Sequence, residues 1–300
     1  MMKTILILIK RNIKLFFKDK GLFLASLITP LILLVLYISF LANVYRNTFI
    51  GVFSEWITIP DNLIDSLVAS QLISSLIAVS CITVAFCSNF LMVQDKANGT
   101  IKDLKITPTK SSALSISYYI ATIISTLLIC YVALTICLIY VAVVGWFYSI
   151  VDVLLLILDV TLLVLFGTAL SSVINFFLSS QGQISAVGTI VSSGYGFICG
   201  AYMPISSFSV GLQNVIAFLP GTYGTSLVRE HATSAILKEF EHLNLPVEVI
   251  NGLKESLDYN LFFFGHQVES FVKYLIIIST IVVLIGVYIL LNFLKKKTYK

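Results

Sequence analysis

Five uncharged stretches decide what this chain can become. Residues 22–45, 66–94, 111–151, 160–228 and 274–294 contain no Asp, Glu, Lys or Arg. Each stretch is long enough for the roughly 20 residues an α-helix needs to cross a bilayer. The stretch 160–228 has room for two such helices and more. Of the 300 residues, 58% are hydrophobic and 11% charged, where soluble domains carry about 25% charge. A water-soluble globule of this size has no place to hide so much apolar side chain. The sequence therefore reads as an all-α integral membrane protein. A disordered chain, a disulfide-stapled secreted domain and a nucleic-acid binder are excluded.

The stretches divide into six predicted spans, about 22–42, 66–93, 113–144, 151–178, 183–203 and 271–293, in one transmembrane domain over 1–300. The third is ~48 Å long at 1.5 Å per residue, so it must tilt or project beyond the lipid. The segments before 22, from 94 to 112 and after 294 hold 14 of the 19 basic residues and three of the 15 acids. The positive-inside rule puts all three in the cytoplasm. The loops 43–65 and 204–270 hold ten acids and face outward. Both termini on one side require an even number of spans, and six meets that requirement.

Three segments refine this plan. In residues 1–21, Ile9, Ile13, Phe16 and Phe17 share one helical face, while Lys10, Lys14 and Lys18 occupy another. This predicts an amphipathic helix in the inner interface; the apolar run is short and has no small-residue cleavage site, which argues against a signal peptide. Segment 204–228 is uncharged but broken by Pro204, Gly211, Pro220, Gly221 and Gly224. Irregular backbone at membrane depth needs cover from protein or water, so a re-entrant helical hairpin dipping in from outside is expected. Residues 231–266 read as a small external helical insert. The five cysteines all fall within predicted spans, with neither metal-ligand spacing nor a disulfide framework.

Catalytic motifs are missing. No G-x-x-x-x-G-K-[ST], H-E-x-x-H or G-x-S-x-G occurs, and the dipeptide Gly-Lys is absent. His231, His242 and His266 are scattered, and Glu239 and Glu241 beside His242 read as a solvated helix face and not as metal ligands. No enzyme activity, metal or bound cofactor is expected of the chain itself.

Two segments carry specific information. After span 2 the chain reads Gln94-Asp95-Lys96-Ala97-Asn98-Gly99-Thr100-Ile101-Lys102-Asp103-Leu104-Lys105-Ile106-Thr107-Pro108. Gly99 breaks the span, Thr100 can cap a short helix, Ile101, Leu104 and Lys105 share a face of it, and Pro108 stops it. After span 5 come Gly200-Ala201-Tyr202-Met203-Pro204, then Pro220-Gly221-Thr222-Tyr223, then Arg229. Together these residues resemble the type-2 permease family of ATP-binding-cassette exporters. Asp95, Gly99, Thr100, Leu104, Thr107 and Pro108 match one family motif; Gly200, Pro204, Pro220, Tyr223 and Arg229 match the others. Where the family carries an acid directly after Gly-Thr-apolar, this chain has Lys102, with Asp103 one place later.

The resemblance implies two separate ATP-binding-cassette ATPase subunits, which bind the ATP and magnesium, and a second permease copy or homologue. It makes 94–112, with Asp95, Gly99, Thr100, Ile101, Leu104 and Pro108, a cytoplasmic coupling segment. It makes Gly200, Pro204, Pro220, Tyr223 and Arg229 an outer hairpin and gate. Export of an amphipathic cargo (a drug, peptide antibiotic, lipid or glycan) from a bacterial plasma membrane follows, with membrane lipid as the surrounding partner and no nucleic acid. Asp159 and Tyr131 are candidate path-lining residues. The alternatives are a proton-coupled secondary transporter using Asp159, since ionisable residues within spans mark function, and a non-transporting receptor or immunity protein.

Overall fold

The computed structural model describes residues 2–53, 59–107, 109–198, 200, 202, 204–243 and 245–298. Pro108, Cys199, Ala201 and Met203 lie outside the described residues. Helix α1 (Met2–Lys18) buries Leu8, Ile9, Asn12 and Phe16 and keeps Lys10, Lys14 and Lys18 exposed, as its amphipathic spacing requires. Asp19 then caps α2 (Lys20–Leu36), its Oδ1 accepting the Leu22 N–H at 3.1 Å. Pro30 lies inside α2, where it has no N–H to give. A π-helical turn, Tyr37–Leu41, leads into α3 (Ala42–Phe53).

The next helices are α4 (Asp61–Ala97), the short α5 (Thr100–Ile106), α6 (Ser111–Val144) and α7 (Ile150–Phe177). A reciprocal pair starts α7: Ser149 accepts the Asp152 N–H and Asp152 accepts the Ser149 N–H. Helix α8 (Gln181–Ile198) ends short of residue 203, the limit expected for this span. A 3-10 turn at Ile205–Ser207 and α9 (Val210–Ala217) precede α10 (Pro220–His242). The chain closes with α11 (Val247–Ser256), the two-residue strands β1 (Phe262–Phe263) and β2 (His266–Gln267), and α12 (Ser270–Thr298). The strands are antiparallel, with Phe262 opposite Gln267.

Among the described residues, five helical segments are long and apolar enough to cross a membrane: Lys20–Gly51, Asp61–Ala97, Ser111–Val144, Ile150–Phe177 and Ser270–Leu294. Helix α8 is not among them, because Gln181, Gln183 and four glycines dilute its eighteen residues.

Helix α4 is the hub. It packs against α2, α6, α7, α8 and α10, and every residue from Leu63 to Val93 except Asp65 is buried. A helix apolar on all sides belongs in an interior. Several of its polar residues are satisfied: Ser80 and Thr83 donate to carbonyls one turn back, and Asn89 donates to Ser171 and Ser172 of α7 at 3.0 and 2.9 Å. Small side chains let membrane helices approach closely.

Two expectations change here. Residues 231–242 do not begin a separate external insert; they continue α10, whose Val228, Ala232 and Ala235 join the main core. The predicted hairpin is lopsided, with eight residues in α9 and 23 in α10. Apolar side chains continue on the inward face of α10 beyond Arg229, so burial extends the helix where charge alone marks a boundary. A second apolar cluster, holding Phe49, Leu67, Phe240 and Leu253, covers the end of α4 remote from α5.

Candidate functional site

At its lower end α4 is held from two sides by consecutive residues. Asp95, only 6% exposed, accepts from Arg11 Nη1 of α1 at 2.8 Å and from the Tyr118 hydroxyl of α6. Arg11 also donates to Asn12 Oδ1 at 2.8 Å, and Asn12 Nδ2 reaches Ser117 Oγ at 3.3 Å. Lys96 turns the other way. Its ammonium donates to the carbonyls of Asn175, Phe176 and Leu178 at 2.8–3.0 Å. Those carbonyls belong to the last turn of α7 and its cap, where a cation is favoured by the helix dipole. Four helices thus meet at one adjacent pair of residues.

Immediately beyond, Gly99 has φ +81 and forms the N-cap of α5. A side chain at that φ costs roughly 1–2 kcal/mol. This revises the expected cap: Thr100 is the first helical residue, and no side chain caps α5. The presumed face also rotates. Ile101 and Leu104 are half-buried against the protein's own core, while Ile106 is 85% exposed. The apolar side chain that α5 leaves exposed is therefore Ile106. Lys102 and Asp103 are exposed beside it. Pro108 lies outside the described residues.

A second group sits at the other end of the bundle. Gly200 has φ +69, and a Cβ there would come within 2.6 Å of Ile205. Its carbonyl accepts from Arg229 Nη2 of α10, and Arg229 Nη1 lies 3.0 Å from Asp258 Oδ2. Asp258 also accepts the N–H groups of Ile205 and Ser206. Arg229 is 1% exposed and Asp258 7%, so the pair is dry and its remaining lone pairs are spent on backbone. Gly200, Pro204 and Arg229 therefore meet around Asp258. Pro220 is the first residue of α10, and the Tyr223 hydroxyl donates to Ala217 O at 2.6 Å across the α9–α10 corner. Tyr223 and Ile205 share a small apolar cluster with Ile216 and Leu261.

Between these ends, Asp159 of α7 is fully buried. Its Oδ2 lies 2.6 Å from His231 Nδ1 of α10, and its Oδ1 accepts from the Tyr274 hydroxyl of α12 at 2.6 Å. The neighbouring Glu230 accepts from Ser270 and from Lys273 Nζ of α12, the latter at 2.9 Å. Burial pulls the His231 imidazole down, but the Asp159 carboxylate outweighs it, and its pKa ends above the ordinary histidine value. Tyr131 is not part of this cluster; it shares a 2.7 Å hydrogen bond with Thr161, joining α6 to α7. Among the described residues, no three His, Cys, Asp or Glu side chains are placed to hold a metal.

Sequence reasoning missed Arg11, Tyr118, His231 and Asp258. One signal was available for Arg11. The chain has three arginines against sixteen lysines, and Arg11, Arg46 and Arg229 each pair with aspartate. A planar fork holds carboxylates in fixed geometry as an ammonium does not.

The family description "ABC-2 type transporter" matches residues 3–231. That stretch covers α1 to α9, the short helix α5 among them, and the start of α10 with Arg229. The chain belongs to the ABC-2 type transporter family. No curated protein matches it. As an ABC-2 type transporter it supplies the multi-pass membrane subunit, the permease component, of an assembly that works with ATP-binding subunits. Helices α11 and α12 and the β1–β2 turn lie beyond the matched residues.

Proposed function

We propose that this ABC-2 permease exports an amphipathic cargo, driven by two separate ATPase subunits that bind ATP and magnesium and press on α5 from the cytoplasm. The observation that carries this is the double anchorage at Asp95 and Lys96. A push on α5 reaches α4 through Gly99, then α1 and α6 through Asp95 and α7 through Lys96. Because α4 is also the helix that touches α2, α8 and α10, one displacement is shared by the whole bundle.

On this reading both termini are cytoplasmic and α8 crosses most of the membrane. Helix α9 with the first half of α10 re-enters from outside, and the Arg229–Asp258 pair holds that hairpin closed. Residues Ser185, Thr189 and Ser193 recur every fourth position on an exposed face of α8. A polar stripe of this kind suits contact with a second permease copy better than contact with lipid. Apolar bundle walls with Ser and Thr as their polar content fit amphipathic drugs, peptide antibiotics or lipids.

A proton-coupled reading rests on Asp159, but its two oxygens are already engaged by His231 and Tyr274. Positioning α10 between α7 and α12 is the role those contacts support. Purification of the tagged chain from native membranes tests the proposal. A nucleotide-hydrolysing subunit should accompany it, and loss of that subunit should abolish export. Export that persists without any ATPase, and collapses with the proton gradient, would replace this reading by the proton-coupled one.

A further inference from the structure

Helices α2 and α6 both pack on α4, yet share no extensive contact with each other. The space between them is a groove of about 520 Å³, within the roughly 300–1,000 Å³ of typical ligand sites. Its walls come from α1, α2, α4 and α6 and are apolar almost throughout, with the hydroxyls of Tyr37 and Tyr140 and the Cys137 thiol as the polar exceptions. From Phe23 to Tyr37 it follows fourteen residues, or ~21 Å of helix. One leaflet of hydrocarbon is ~15 Å deep, half of the ~30 Å core. The groove opens sideways, because Leu31, Val132 and Ile136 on its lips are 53%, 53% and 62% exposed.

One end of the groove is electrically distinct. Phe17 and Phe23 close it with rings 5.8 Å apart. Lys14, Lys18 and Lys20, all exposed, flank these two residues in the sequence. Asp19, the acid between them, is occupied in capping α2, and no carboxylate pairs with the three lysines among the described residues. Basic residues at the inner membrane surface attract anionic headgroups, and an apolar slot accepts an acyl chain without leaving a polar group unsatisfied.

We infer that this groove is a binding site for one anionic phospholipid of the inner leaflet, with an acyl chain lying between α2 and α6 and the headgroup at Lys14, Lys18 and Lys20. The lipid then supports α1, whose Arg11 holds Asp95, so occupancy stabilises the anchorage beneath α4. This site is independent of cargo and of transport direction.

Native mass spectrometry of the intact chain, extracted in mild detergent and titrated with phosphatidylglycerol or phosphatidylcholine of the same acyl chains, reads the site directly. The wild type should retain phosphatidylglycerol about tenfold more tightly. Ala133→Phe, which fills the groove, should lose retention of both lipids. Val143→Phe, an exposed α6 position outside the groove, should behave as wild type and so controls for added bulk. Exchanging Lys14, Lys18 and Lys20 together for Gln should leave acyl binding but remove the headgroup preference. Equal retention of the two lipids by the wild type, or unchanged retention in Ala133→Phe, would overturn the assignment. So would efficient disulfide cross-linking of Val132→Cys between two copies, which would mean that a second permease fills the groove.

Discussion

Arg11 Nη1 of the amino-terminal helix lies 2.8 Å from Asp95 Oδ2, at the point where the central helix α4 gives way to α5. Eighty-four residues of chain separate the two. The contact makes α1 a strut for α4. Arg11→Gln should cost about 1.5–3 kcal/mol of stability, the range for hydrogen bonds to charged groups, discounted toward the lower end because the Arg11 side chain is 25% exposed. Insertion should be normal, while substrate-stimulated ATP hydrolysis should fall several-fold. Unaltered stimulation would remove the strut from the mechanism.

The exposed Ile106 and the half-buried Leu104 separate two effects that one helix face would confuse. Ile106→Asp puts a charge on the partner-facing side of α5 and should leave the melting temperature of the isolated permease unchanged while weakening ATPase binding. Leu104→Asp places a charge against the protein's own core and should lower that melting temperature. Equal effects of both changes on the isolated permease would contradict the orientation of α5.

Breaking the dry Arg229–Asp258 pair leaves one charge buried alone. Arg229→Ala should therefore destabilise the protein by about 3–5 kcal/mol. Arg229→Lys should not restore it, because one ammonium cannot take up the two-pronged geometry toward both Asp258 and the Gly200 carbonyl. Chemical denaturation in detergent micelles compares the three proteins, and full rescue by lysine would argue against a geometric role.

Much of the fold was legible in charge placement. Uncharged runs locate α2, α4, α6, α7 and α12, because an ionised side chain inside hydrocarbon is expensive. Charge placement failed at α10, where Arg229, Glu230 and His231 mark the edge of a run but sit inside one continuous buried helix. Each of those charges has a partner from a distant segment, Asp258, Lys273 and Asp159 in turn, and pairing across 29 to 72 residues leaves no local pattern. The phase of α5 was equally hidden. Seven residues give two turns, and Ile101, Leu104 and Ile106 then allow an apolar side toward either protein or partner. Asp258, on an irregular turn with φ +48, had no periodicity to announce it.

A pH dependence follows from His231. Its folded-state pKa is raised, chiefly because Asp159 outweighs the effect of burial. A group of this kind adds its full stability below the unfolded value of about 6.5 and loses it as pH climbs through the higher folded value. The wild-type melting temperature should therefore decline on going from mildly acidic to mildly alkaline buffer, and His231→Gln should flatten that decline. Parallel profiles for the two proteins would show that the contact is not an ion pair.

Topology has its own check in intact cells. A single cysteine at Glu248 should react with an impermeant thiol reagent added outside, while one at Lys102 should stay protected until the cells are opened. The reverse pattern would invert the assignment of sides and remove α5 from the reach of a cytoplasmic ATPase.

The central claim is that α5 is where the ATPase engages. A photo-reactive amino acid at Ile106, tested in membranes that contain the partner subunit, reads that contact without altering the rest of the chain. The account predicts a cross-link to the nucleotide-hydrolysing subunit from position 106 and none from Phe264, which is 55% exposed on the β1–β2 turn. Cross-links from 106 to lipid alone, or to the ATPase from 264 instead, would contradict it.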